Sequence, residues 1–178
     1  MDFTAAPPRL TDVALPERRF LPGDAHAPHL PDPLPLAPLV TPDQWRDCPA
    51  YLYGCDLYNH GYWWESHELW ELIWRAAAGD PEYETLRHFT QGLIQVAACA
   101  IKLEQRKARG LRKLLTSSEN YLREVIERVG NAPYMGLRVH DWHASVRQYY
   151  SERFDPEAIA ITAPHDAASF PYLQLSDD

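Results

Sequence analysis

The chain has 178 residues, 46% of them hydrophobic and 24% charged, which suits one domain with its own core and excludes a wholly disordered chain. Acids outnumber bases 25 to 17, for a net charge of −8, and that balance argues against a dedicated nucleic-acid binder. No run approaches the roughly 20 apolar residues of a membrane span, and no basic segment followed by an apolar run marks a secretory signal.

Eleven of the 16 prolines fall in the first 50 residues. Pro28, Pro31, Pro33, Pro35 and Pro38 exclude a continuous helix or a paired central strand. From His29 to Leu39, proline alternates with leucine or alanine. Residues 1–40 therefore read as a proline-rich extended arm, with leucines that either lie along the domain or stay in solvent. The expectation is that the remainder folds without it. Thr41, Pro42 and Gln44 form a capping-box signature for a first helix, which Pro49 stops. A short second helix follows over residues 50–59, with Gly61 at its end.

The segment Tyr62–Ala78 is strongly helical in period. At about 100° per residue, Trp63, His67, Trp70 and Trp74 share one narrow sector. Tyr62, Leu69, Ile73 and Ala77 adjoin it. Glu65, Glu68 and Arg75 fall opposite, on the expected solvent face, and Glu71 sits at the boundary one turn after His67. Asp80 and Pro81 then cap and open a helix from about Glu82 to Ala108. Its middle is apolar nearly all round, as expected of a helix buried between neighbours. Gln91 and Gln95 interrupt that apolar run, one turn apart. Gly110 is the expected break, followed by a helix over residues 111–129 and a last one over residues 141–153.

These elements predict an all-α fold: a single compact bundle of four to five helices over residues 41–154, between the arm and an acidic C-terminal tail at residues 155–178. The tail holds five acids and no Lys or Arg, and it reads as solvated. Cys48, Cys55 and Cys99 form an odd set without a CxxC pair, which fits free thiols in a reducing cytoplasm.

His67, Glu68 and Glu71 are the residue types that hold a divalent ion, and His67 and Glu71 are one helical turn apart. Imidazole and carboxylate suit zinc or manganese. The pattern HExxE lacks the second histidine of the HExxH metalloproteases, so a third ligand has to come from His140, His143, His88 or Glu104. On the other side of the balance, Glu71 can pair with Arg75 at i,i+4, and Gln91 and Gln95 can hydrogen-bond a carboxylate. Lys102, Arg106, Lys107, Arg109, Arg112 and Lys113 form a basic run around Gly110 that suits an anion or an acidic partner, or is a solvated helix corner.

Asn59, Gly61, Tyr62, His67, Glu68, Glu71 and Trp74 follow an Asn-x-Gly, aromatic, His-Glu-x-x-Glu-x-x-Trp order. With the later run Phe89–Leu103, this resembles the family known as domain of unknown function 309. The resemblance implies a compact helical bundle, and some members have been described as predicted metal-dependent hydrolases.

Two functions stand against each other. The leading one is non-catalytic: His67, Glu68, Glu71, Trp74, Gln91 and Gln95 form a polar cluster for fold specificity or for binding a ligand or partner. Its rival is a metal-dependent hydrolase with His67 and Glu71 as ligands and Glu68 as general base. The expected partners are a small molecule, a protein or a second copy of the chain, and neither nucleic acid nor a membrane.

Overall fold

Between Pro49 and Ser151 the chain forms five α-helices in a computed structural model that describes residues 5–25 and 30–176, so Pro28 and His29 of the arm lie outside the described residues. The helices are α1 (Pro49–Asn59), α2 (Trp63–Ala76), α3 (Glu84–Glu104), α4 (Ala108–Val129) and α5 (Val139–Ser151). A two-stranded antiparallel pair, β1 (Phe154–Asp155) and β2 (Ala160–Ile161), follows them. Helix α3 is central, with α2 on one side and α4 on the other, and α1 packs on α2. The fold is thus the all-α bundle that the periodicity predicts. No described helix is long and apolar enough to cross a membrane.

Small residues set the helix spacing. A Cβ on Gly54 of α1 would stand 2.4 Å from Nε1 of Trp70, and one on Gly92 of α3 would stand 2.6 Å from Leu122 of α4. Each glycine lets a large side chain lie directly on helix backbone. Trp63, Trp70, Tyr51 and Tyr58 are fully enclosed around these contacts.

Several boundaries differ from expectation. Residues Pro42–Asp47 form a 3₁₀ turn rather than an α-helix, and Thr41 makes no side-chain cap, so the capping box does not form. Gly110 does not break the chain but lies within the first turn of α4. The break is at Arg106, whose φ of 56° is left-handed. Lys107 N donates to Lys102 O and Arg106 N to Leu103 O, the paired bonds of a Schellman cap, with arginine where glycine is usual.

The described parts of the arm and of the C-terminal segment are both held against the bundle. The arm runs extended over α1 and α2, and its backbone is gripped by their side chains. Leu10 N and Thr11 N donate to the Asp56 carboxylate at 2.7 and 2.9 Å, and Thr11 Oγ1 adds a third bond at 2.7 Å. Tyr53 and Tyr62 donate their hydroxyls to Ala14 O and Pro16 O. Arg19 forms a two-pronged ion pair with Glu104 and lies over the Trp63 ring. The described part of the arm therefore lies along the domain as a cover rather than staying in solvent.

The C-terminal segment also departs from the solvated tail expected of its charge. Phe170 and Leu173 are core residues. Asn59 pairs with the backbone of Leu173 through both its amide groups, at 2.9 and 2.8 Å, as a neighbouring strand would. Tyr58 and Trp142 both donate to Pro171 O. The buried Arg153 ties the segment down through Ser169 and Asp166 and stacks on Tyr149.

His165 is the latch of this segment. Its ring lies 4.5 Å from that of Trp63, its Nε2 is 2.8 Å from Ala100 O, and its Nδ1 is 2.7 Å from the Tyr149 hydroxyl. A carbonyl can only accept, so Nε2 carries the proton and Nδ1 accepts from Tyr149. Burial, chiefly, lowers the imidazole from 6.5 to about 4, and Arg153 and Arg19 add to that lowering. A depressed folded-state value means that the latch's contribution is complete above pH 6.5 and is lost as the pH falls toward 4. The loss reaches about 3 kcal/mol at most. Glu65, whose carboxyl is raised by burial, works in the opposite direction on acidification. The informative measurement is therefore the difference in melting temperature between the wild type and His165→Gln. That gap should be wide at pH 7 and narrow at pH 4, and a gap independent of pH would show that His165 does not titrate as described.

Candidate functional site

The site rests on α2, where helical period and a short turn from α1 fix which side chains face inward. Trp63, His67, Trp70 and Trp74 share one side of α2 as the spacing predicts, but at different depths. Trp63 and Trp70 are enclosed, while His67 and Trp74 are half-buried at the edge. His67 stacks on Trp64, with ring centroids 5.4 Å apart and planes within 19°. Trp74 carries the guanidinium of Arg87 from α3 over its ring at 5.1 Å.

The imidazole of His67 stands between two carboxylates. Glu68 Oε1 is 3.3 Å from Nδ1 and Glu71 Oε1 is 3.6 Å from Nε2. The three side chains are 18%, 33% and 24% exposed, so they form a half-buried surface group rather than a core cluster. Glu71 also pairs with Arg75. Nδ1 of His67 is buried, yet no group meets it in hydrogen-bonding geometry.

Helices α2 and α3 run antiparallel. Trp74 meets Arg87 at one end, and at the other Trp63 meets His165, which is bonded to Ala100. Counting 1.5 Å per residue from those ends sets Gln91 and Gln95 at the level of Glu71 and His67. Both glutamines are half-buried, and the buried Oε1 of Gln95 has no hydrogen-bond partner.

The candidate third ligands are engaged elsewhere. Glu104 pairs with Arg19 at the far end of α3. His88 is 2.9 Å from Glu124 on α4. His140 pairs with Asp141 at the exposed start of α5, and His143 lies in the α4–α5 groove. Among the described residues, no group of three or more His, Cys, Asp or Glu side chains converges as metal ligands would.

One expectation about α2 is overturned. Glu65, placed by period on the solvent face, is completely buried. The reason is the arm: Phe20 N donates to Glu65 Oε1 at 2.8 Å, and the Phe20 ring meets Trp64 edge-on at 5.4 Å. The second oxygen, Oε2, is buried without a partner. Burial raises the carboxyl of Glu65 above the ordinary glutamate range. Asp56, also buried, escaped notice for the same reason. The signal available for Glu65 was Leu72 beside it in helical period, which with Leu69 carries the apolar arc of α2 around to the glutamate and implies a cover on that side.

Comparison with known proteins gives one finding. The model of the family described as Domain of unknown function (DUF309) matches residues 51–114, from α1 through the first turns of α4. This is the family that the Tyr58–Arg75 segment resembles, and the match leaves the arm, α5 and the C-terminal segment outside it. No curated protein and no solved structure matches the chain.

Proposed function

We propose that this is a non-catalytic binding domain, and that the half-buried group of His67, Glu68, Glu71 and Gln95 on the α2–α3 face receives polar groups of a ligand. The observation that carries the reading is unmet hydrogen-bonding capacity. Gln95 Oε1 is buried without a hydrogen-bond partner among the described residues, and His67 Nδ1 meets only Glu68 Oε1, at 3.3 Å and outside hydrogen-bonding geometry. An unmet buried polar atom costs about 1–3 kcal/mol, and whereas those of Trp70 and Glu65 lie in fully buried side chains, His67 and Gln95 stand on a half-buried face that a ligand can reach. Two carboxylates beside an imidazole favour an occupant that donates hydrogen bonds, such as an amide or an ammonium group. Trp74, on the same side of α2, and Gln91, level with Glu71 along the helix axes, would frame that occupant. A cytoplasmic location belongs to the same proposal, and the three buried cysteines, all free, support it.

The test compares stability with metal response. Gln95→Leu should melt at or above the wild-type temperature, since it removes an orphan acceptor from a half-buried position. A loss above about 2 kcal/mol would assign the cluster to the fold instead. Zinc or manganese should leave the wild-type melting temperature unchanged. A metal-dependent rise that disappears in both His67→Ala and Glu71→Gln would establish the metal-dependent alternative, with Glu68 as the next residue to test as base.

A further inference from the structure

Helices α4 and α5 leave a groove of about 390 Å³ between them, remote from the α2 site. Its apolar lining is Leu115 from α4, Val146 and Tyr150 from α5, Phe154 from β1 and Pro156 just after it. Val146, Tyr150 and Phe154 are core residues that floor the groove. The size and the mixed lining match those of small-molecule sites, in which an apolar floor meets a few convergent polar groups.

The charged groups on the rim are Arg112, Arg147 and Glu119, a net positive set, beside the hydroxyls of Thr116, Ser118 and Ser151. Arg112 of α4 and Arg147 of α5 both line the groove. Arg147 reaches Glu119 only at 3.9 Å between exposed side chains, a contact too weak to neutralise either group. Arg112 has no acidic partner among the described residues. Nor do Lys107, Arg109 and Lys113, which extend the same basic corner along the start of α4. His143 forms part of the wall, with Glu119, Arg147, His140 and Arg123 around it. Burial, first of these influences, lowers its imidazole, so at neutral pH it stands there as an uncharged hydrogen-bonding group. Arg112 and Arg147 outnumber Glu119 on a chain of net charge −8, so the rim carries a local positive excess over an apolar floor, which draws in an anion with an apolar body.

We infer that the α4–α5 groove binds a small amphipathic carboxylate, its apolar body on Leu115, Val146, Tyr150 and Phe154 and its carboxylate between Arg112 and Arg147. Apolar burial supplies affinity, and the guanidinium groups select the charged end.

The experiment is a titration of the full-length protein with decanoate, decanol and acetate, followed by two-dimensional amide NMR. Decanoate should give saturable shifts confined to the residues around the groove and bind at least tenfold more tightly than decanol. Acetate, lacking the apolar body, should produce no saturable shift. Arg112→Glu, at an exposed position, should weaken decanoate at least tenfold and leave decanol unchanged. Thr116→Trp, also exposed and on the groove, should block both long-chain probes, with an unchanged melting temperature reporting an intact fold. Equal binding of decanol and decanoate would overturn the inference, because the charge would then not be read. Shifts outside the groove, or none at millimolar decanoate, would overturn it as well.

Discussion

Trp70→Ala is expected to remove about 3–5 kcal/mol of stability, a large fraction of what a domain this size holds. Trp70 is wholly enclosed. It lies against the backbone of α1 at Gly54 on one side and meets the Tyr58 ring at 5.8 Å on another. Tyr58 in turn touches Trp142 of α5 and Phe170 of the C-terminal segment, so the cavity left by Trp70 opens at the junction of four chain segments. None of them can collapse into it without leaving its other contacts. Gly54→Ala attacks the same contact from the opposite side. A methyl group 2.4 Å from Trp70 Nε1 must push apart α1 and α2, at a cost of about 1–3 kcal/mol. Because the two changes disturb one contact, the double variant should be less destabilised than the sum of the single ones. Urea unfolding of the three proteins measures this. Strict additivity would mean that Gly54 and Trp70 act independently, and a Trp70→Ala loss under about 1 kcal/mol would mean that the ring is not enclosed.

That contact was half legible in the sequence. The period of α2 places Trp70 on a buried face without any structure, because three tryptophans at helical spacing leave little choice. Gly54 carried no such signal, since a glycine within a helix reads as a weakness until its neighbour is known. The same asymmetry runs through the fold. Helix count, order and approximate limits follow from periodicity. The turn at Arg106 does not, because an arginine in left-handed conformation has no sequence mark and Gly110 nearby offers a more conventional one.

The polar site divides in the same way. His67 and Glu71 come together as a helical turn requires, because i and i+4 spacing is local geometry, whereas Glu68, placed by period on the solvent face, reaches His67 Nδ1 from the adjoining side. The buried carboxylates Asp56 and Glu65 depend on residues more than 40 positions away, in a segment whose prolines mark only that it is extended. Non-local pairing of a side chain with a distant backbone leaves no periodic trace. The acidic C-terminal segment was opaque for a related reason. Its charges suggest solvent, while its anchors are Phe170, Leu173 and a pair of backbone bonds to Asn59.

Deleting residues 1–24 is accordingly expected to cost at least about 3 kcal/mol, the reverse of what composition alone suggests. Four donors on the arm serve two carboxylates: Leu10 N, Thr11 N and Thr11 Oγ1 on Asp56, and Phe20 N on Glu65. Hydrogen bonds to charged groups contribute about 1.5–3 kcal/mol each when both partners are desolvated. Part of that returns when water reaches the uncovered carboxylates, so the full sum is not the expected loss. The apolar face of Tyr53, Leu57 and Leu69, on which Leu15 packs, would also meet water. Loss of Arg19 would leave Glu104 without its bidentate partner and Trp63 without its covering cation. Thr11→Val separates the hydrogen-bonding contribution from mere cover, because it keeps the arm and its shape while removing one donor to Asp56. Its expected cost is about 1–2 kcal/mol. If the arm is only a passive wrapping, Thr11→Val will match the wild type in urea midpoint and the deletion will unfold within about 1 kcal/mol of the full chain. If the arm completes the core, the deletion will lose most of its stability, and Thr11→Val will lose a measurable part through a single hydroxyl group facing a buried carboxylate.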